Sequence, residues 1–244
     1  MIEKVNRLKE MIDECNNIVF FTGAGVSTES GIKDFRSKDG LYNEKNSYKY
    51  PPEYLLSKKC FEDDLKEFYK YYKDKMNSLN YKPNVTHKYI KQLENQGKDV
   101  IVITQNIDGL HAKAGSSVIY ELHGTVNKNH CLKCGKEYSG EYVFKSKGIP
   151  KCDCGGIIKP DVVLYGESLP ENEWINSEQA ISKCELLIVM GTSLTVYPAS
   201  GLINLFRGKY LVILNQEKTP FDKTADLVIH DKLSNIFRFF STLS

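Results

Sequence analysis

No apolar run in this 244-residue sequence approaches the ~20 residues that a membrane-spanning helix requires; LLIVM, Leu186 to Met190, is among the longest. An excess of charge of either sign is missing too. The 33 basic residues stand against 31 acidic ones, a net charge of +2, which gives no reason to expect bulk binding to nucleic acid or to a membrane. Repeats and low-complexity linkers are absent, so solenoids and flexible tails are not expected. The N-terminal MIEKVNRLKEMIDEC lacks the apolar core of a secretory leader; charged and amphipathic, it reads as a helix with Val5, Leu8, Ile12 and Cys15 on one face. These absences point to a reduced, cytoplasmic location.

What is present is ordinary globular composition, 41% hydrophobic and 26% charged, in a chain long enough for a sizeable core. Short apolar runs recur: Ile18 to Thr22, DVIVIT (Asp99 to Thr104), ELLIVM, YLVILN and ADLVIH. Helix-like stretches separate them, including FEDDLKEFYKYYKDKM, Thr86 to Glu94 and PASGLINLF. Buried strands alternating with helices imply an α/β fold, a Rossmann-like doubly wound parallel sheet. Residues 1–36, 83–125 and 160–244 are expected to form that nucleotide-binding part. Residues 37–82 would supply a loop and the helical part of a small lobe. Polar loops follow the strands, and in such sheets ligands bind at the carboxyl ends of the strands. Those loops should therefore meet at one crevice.

Residues 126–159 change character. Of the seven cysteines, Cys131 and Cys134 are followed after 17 residues by Cys152 and Cys154, with Gly135, Gly155 and Gly156 beside them. Two tight turns carrying four thiolates suit a tetrahedral Zn2+, and four cysteines leave no open position, so the zinc would be structural. A redox dithiol is the competing reading. A polar segment of ~30 residues cannot fold by burial alone, whereas zinc supplies ~10–16 kcal/mol in small modules. His130 should be merely exposed, and Cys15, Cys60 and Cys184 should be core residues.

Gly23-Ala24-Gly25 follows the first strand but lacks the third glycine of a dinucleotide fingerprint, and no acidic residue ends a second strand. Backbone N–H groups there can hold a pyrophosphate. A helix terminus contributes ~0.3–1 kcal/mol, against the ~5.5 kcal/mol of a 100 µM ligand. Other groups must do much of the binding. Asp34-Phe35-Arg36 supplies an aromatic ring and a cation. Gln105, Asn106 and Asp108, at the tip of a strand, include an amide and a carboxylate able to grip a carboxamide. His123, between the strand-like VIYEL and Gly124, titrates near ~6.5 and can act as a base. His111 reads as a loop brace and His87 as helix packing.

GAGVSTESGIKDFR, TQNIDGLH, His123-Gly124, the paired cysteines, KPDVVLYGE and GTSLTVYPA stand in the order found in the sirtuins. From about Thr22 to Asn215 the chain resembles that family of NAD-dependent protein lysine deacylases, in its bacterial form. The resemblance implies that Gly23, Ala24 and Gly25 approach the pyrophosphate of NAD, Phe35 shields the nicotinamide end and Arg36 reaches phosphate or ribose. It assigns Asn106 and Asp108 to the nicotinamide pocket, Gln105 to the ribose, and His123 to deprotonation of a ribose hydroxyl, with His123 and Asn106 as the expected catalytic residues. Gly191, Thr192 and Ser193 would hold the adenosine half, and Asn215 the adenine ribose hydroxyls.

By the same resemblance, an acyl-lysine peptide adds as a strand between Val163-Tyr165-Gly166-Glu167 and Val196-Tyr197, with Val163 along the acyl tunnel. Relatives that prefer acidic acyl chains carry a Tyr and an Arg three apart. Here Tyr69 matches, but Tyr72 stands where the Arg would be, so acetyl or another neutral acyl group is expected. Lys70 and Lys73 lie nearby. The implied products are nicotinamide, deacetylated lysine and O-acetyl-ADP-ribose. Rivals are an ADP-ribosyltransferase, a non-catalytic NAD or ADP-ribose sensor, and a zinc-ribbon nucleic-acid binder. The intact peptide segments, the presence of Asn106, Asp108 and His123, and the near-neutral charge weigh against them in turn. A monomer is favoured.

Overall fold

The computed structural model describes residues 1–37, 39–43 and 48–241; the remaining positions of the expected cofactor loop and C-terminus lie outside the described residues. In chain order the strands are β1 (Asn17–Thr22), β2 (Asp99–Thr104), β3 (Ile119–Glu121), β4 (Gly124–Cys131), β5 (Glu137–Ser139), β6 (Ile158–Val162), β7 (Leu186–Met190), β8 (Tyr210–Leu214) and β9 (Leu227–Ile229). The first helices are α1 (Ile2–Glu14), α2 (Pro52–Leu55), α3 (Lys58–Asp63), α4 (Leu65–Lys75) and α5 (Val85–Asn95). They are followed by α6 (Leu110–Ala114), α7 (Gly140–Lys145), α8 (Glu171–Lys183) and α9 (Leu233–Ser241).

Six strands form one parallel sheet in the order β3-β2-β1-β7-β8-β9. Alternate residues of β1 explain why it lies near the middle. Ile18 and Phe20 pack into a cluster with α1, α5 and α9, whereas Val19 and Phe21 pack into a second cluster with α8 on the other face. All four are fully buried. A strand apolar on both faces belongs in the interior of a covered sheet. The chain runs outward from β1 through β2 on one side and from β7 on the other, which makes the ends of β1 and β7 the switch point of the sheet.

A three-stranded antiparallel sheet, β5-β4-β6, carries the cysteine segment. It packs with α2, α3, α4 and α7 around a third cluster rich in aromatics, including Phe68, Tyr69 and Tyr72.

Several elements differ from expectation. FEDDLKEFYKYYKDKM is not one helix: Asp64 breaks it with φ −146°, and its carboxylate accepts from the Glu67 N–H as the cap of α4. PASGLINLF is helical only as a 3-10 turn over Ala199–Leu205. Helices α8 and α9 are additions to the expected set. Each buries its apolar side against elements distant in sequence, α8 against β3 and α9 against α1 and α5.

Candidate active site

Strand register decides where the site forms. Thr22 at the end of β1 lies opposite Thr104 of β2 and Met190 of β7, while Thr104 pairs with Glu121 and Met190 with Leu214. Gly23, Gln105, Gly191 and Asn215 follow four of those residues directly, and His123 comes two beyond Glu121. All five therefore leave one edge of the sheet, and all five line a single cavity of about 1210 Å³. That exceeds the usual range of a few hundred to ~1,000 Å³ for one small ligand and leaves room for two.

At the switch point the glycines serve mainly to let two loops touch. A Cβ on Gly23 would lie 2.7 Å from the Thr192 Cβ, and one on Gly25 would lie 2.8 Å from the Gly191 Cα. The Gly23 and Gly25 N–H groups donate to Met190 and Gly191 oxygens at 3.1 and 2.8 Å. Gly23, Ala24 and Gly25 all line the cavity; two of their three amides are taken by these bonds, and no described acceptor stands against the Ala24 N–H. Gly191, Thr192, Ser193 and Asn215 all line the cavity, and the Asn215 side chain donates to the Glu217 oxygen at 2.9 Å.

Asn106 and Asp108 are joined through Ser27, a residue the motif contains but sequence reasoning did not single out. The Asn106 amide donates to the Gly23 carbonyl oxygen at 3.0 Å and to Ser27 Oγ at 3.2 Å; Ser27 Oγ in turn donates to Asp108 at 2.7 Å. Because the Gly23 carbonyl only accepts, the Asn106 NH2 must face it, leaving Oδ1 as an acceptor. The Asn106 NH2 is thus engaged within the protein and its Oδ1 is the group left to accept, where a carboxamide grip had been expected to use Asn as the donor. Burial raises the Asp108 carboxyl above its ordinary range, opposed by the Leu110 N–H and Ser27 hydroxyl that bond its charged form. Gln105 donates to Thr192 Oγ1 at 3.3 Å, tying the two loops across the cavity.

His123 lies half-buried with Nδ1 2.9 Å from the Gln105 carbonyl oxygen. A carbonyl can only accept, so Nδ1 carries the proton and the neutral ring keeps a lone pair on Nε2. Burial, helped by the Arg36 charge and opposed by the Gln105 hydrogen bond, lowers the pKa of this imidazole. Gly124 behind it has φ +70°, and a Cβ there would meet the Asp161 oxygen at 1.9 Å. Only glycine permits the turn that brings the ring to the cavity.

Phe35 and Arg36 also line the cavity, and both rest on Tyr42. The Phe35 and Tyr42 ring centroids are 5.5 Å apart, and the Arg36 guanidinium carbon lies 5.5 Å from the Tyr42 centroid. Nothing in the motif pattern had marked Tyr42. Asp34 lines the cavity too, and its carboxylate holds the loop by accepting from the Arg36 and Ser37 amides at 3.1 and 2.8 Å.

Val163, Tyr165, Gly166, Glu167, Val196 and Tyr197 line the cavity as well. Val163 donates its N–H to the His123 oxygen at 2.9 Å, so this segment is hydrogen-bonded directly to the histidine. Glu167 accepts from Lys159 at 3.2 Å and from the Leu164 N–H at 2.9 Å, which makes it a brace for the turn. Tyr72 lines the cavity; Tyr69 does not, and that expectation is corrected. Tyr69 is buried, with its hydroxyl donating to the Ile158 oxygen. His130 is paired with Asp161 rather than merely exposed. His111 meets the Thr22 hydroxyl at 3.2 Å, and His87 Nδ1 accepts from the Asn84 N–H in a capping box.

The four sulfurs of Cys131, Cys134, Cys152 and Cys154 lie within 4.8 Å of one another. The Cys131–Cys154 and Cys134–Cys152 separations are 3.5 and 3.6 Å, close to the ~3.8 Å edge of a zinc–thiolate tetrahedron with ~2.3 Å bonds. A Cβ on Gly156 would lie 2.5 Å from the Cys131 sulfur, so glycine clears the space. The donor set fits zinc. Cys15, Cys60 and Cys184 are buried apart from it, as core residues.

A parallel sheet with a large cavity at its switch point, a tautomer-fixed histidine and an attached four-cysteine module defines a nucleotide-binding α/β protein with a metal-stabilised lobe. Comparison with known proteins narrows this. The Sir2 family model matches residues 23–198. An NAD-dependent protein deacetylase of Clostridium acetobutylicum is 51% identical over 238 residues, 97% of each chain. Among solved structures, a Sir2 bound to acetylated peptide superposes with TM-score 0.86 at 34% identity over 98% of both chains. A complex of Sir2 with p53 peptide and NAD+ gives 0.85 at 35% identity over 98% of this chain and 99% of that one. The chain belongs to the Sir2 family.

Proposed function

We propose that this chain is an NAD-dependent protein lysine deacetylase that releases nicotinamide, deacetylated lysine and O-acetyl-ADP-ribose. One observation carries the reading. The lone pair on His123 Nε2 belongs to the same cavity as Asn106, Asp108 and Arg36, on a ring whose tautomer the Gln105 carbonyl sets. NAD supplies a glycosidic carbon with a leaving nicotinamide. Asp108 and Asn106 Oδ1 accept from its carboxamide NH2, Arg36 lies toward phosphate or ribose, and Phe35 covers the reacting face from water. His123 Nε2 takes the proton of a ribose hydroxyl. The relatives named above support peptide and nucleotide as the two occupants of so large a cavity.

The peptide lies as an extended strand along Val163–Gly166 and Val196–Tyr197, its acyl chain running toward Tyr72. A neutral acyl group suits that end. The Tyr72 ring is buried and stacked on Phe144 at 5.4 Å. Lys73 already donates to the Ser146 oxygen at 2.7 Å and the Gly148 oxygen at 2.6 Å, and Lys70 is paired with Glu67 at 3.6 Å. Neither is positioned as a free cation for a carboxylate. We also assign the zinc module to residues 126–159 and favour a monomer. Among the described residues no helix is long and apolar enough to cross a membrane, and the free thiols suit a reducing cytoplasm.

The test is nicotinamide release with acetylated and unmodified peptide, with and without NAD. Release that requires both NAD and the acetyl group supports the deacetylase. Release from NAD without acetylated peptide, or no release, refutes it.

A further inference from the structure

We propose that Tyr42 and Tyr165 are positioning residues: the hydrogen bond between their hydroxyls fixes the Phe35-Arg36 packet against the peptide-bearing segment, so that nucleotide and peptide assist each other's binding. The two phenols are 123 residues apart in the chain and meet hydroxyl to hydroxyl. Each is anchored separately. On one side, Tyr42 carries Phe35 tilted against its ring and Arg36 over its face, and its N–H donates to the Phe35 oxygen at 3.0 Å. The neighbouring Leu41 N–H donates to the Asp34 oxygen at 2.8 Å. A shift of the Tyr42 ring therefore moves both side chains assigned to the nucleotide.

On the other side, Tyr165 donates its N–H to the Leu56 oxygen at 3.0 Å, and its own oxygen accepts from Lys58 at 2.9 Å. The backbone on either side of it lines the cavity at Leu164 and Gly166. The phenol pair thus joins two separately held pieces. Burial, and then the bond to Tyr165, raise the Tyr42 hydroxyl well above its ordinary range, so it stays protonated and able to donate at neutral pH. When a peptide orders the Tyr165 segment, the hydroxyl pair orders Tyr42, and Phe35 and Arg36 with it. Linkage requires the reverse effect to be equal.

This inference rests on the assignment of the two pieces to nucleotide and peptide. It is tested by measuring ADP-ribose affinity calorimetrically, with and without saturating deacetylated peptide, in wild type, Tyr42→Phe, Tyr165→Phe and the double variant. Melting temperatures are measured in parallel. In the wild type the peptide should tighten ADP-ribose binding roughly 2- to 10-fold, the scale of one net hydrogen bond. Both single variants should lose most of that factor. The double variant should lose no more than either single, with melting temperatures close to wild type. Undiminished peptide assistance in the singles, a double variant whose loss is the product of the two, or no peptide effect in the wild type would each overturn it. Turnover separates this from the parent proposal: coupling without acetyl-lysine turnover refutes the deacetylase and leaves the phenol pair standing.

Discussion

The rings of His87 and His111 lie 4.7 Å apart, both buried, where α5 meets the helix that follows the Asn106–Asp108 loop. Burial drives the His87 pKa down to about 4 and pushes that of His111 well below its usual value. Folded His87 therefore stays neutral long after its unfolded counterpart, at ~6.5, has taken a proton. A depressed folded pKa gives stability that is complete above ~6.5 and lost as pH falls toward 4. His87 alone should account for about 3 kcal/mol of that loss. Denaturant unfolding at a series of pH values checks this. His87→Gln keeps an acceptor for the Asn84 N–H and removes the titration, so its stability should fall less steeply in acid.

His123 should behave as a base rather than a binding group. His123→Ala is expected to cut turnover by roughly 10²–10⁴-fold while ADP-ribose affinity changes little. Because burial and the Arg36 charge favour the neutral ring, the acid limb of kcat/KM should have its midpoint below ~6.5. A limb centred well above that value, or loss of ADP-ribose binding in the variant, would contradict the assigned role.

Gly124→Ala forces a side chain into the left-handed region and onto the Asp161 carbonyl. The expected cost is at least about 2 kcal/mol of stability, with turnover reduced through displacement of His123. Full stability and activity in this variant would show that the turn can open without consequence.

Metal analysis should find one zinc per chain. Removing it with a chelator, or Cys134→Ala, should unfold the module and lower the melting temperature by many degrees, since structural zinc supplies folding free energy. Turnover should fall with it through loss of the lobe that holds Tyr72 and the peptide segment. Chelation that abolishes turnover while the melting temperature holds would instead indicate a zinc that takes part in the chemistry.

Acetyl-lysine peptide should exceed succinyl-lysine peptide by at least about 10-fold in kcat/KM if the acyl chain runs toward Tyr72, where no guanidinium is described beside the ring. Tyr72→Arg should narrow the ratio. Equal turnover of both peptides by the wild type would remove Tyr72 as a selectivity residue.

The sequence by itself determined whatever is written in local pattern. Apolar runs bounded by turns identified β1, β2, β7, β8 and β9, because a strand buried on both faces must be continuously apolar. The cysteine spacing showed a metal set because metal-holding turns are short-range objects. Only the tertiary structure decided matters that depend on partners far along the chain. Gly23 and Gly25 are glycines because Gly191 and Thr192 press against them; Asn106 accepts because its NH2 is held by Gly23 and Ser27. Tyr69 and Tyr72 differ in role though they are one helical turn apart, and Tyr42 meets Tyr165 from 123 residues away in the chain. Such contacts form when the sheet register brings strand ends level, and nothing within a single segment encodes that register.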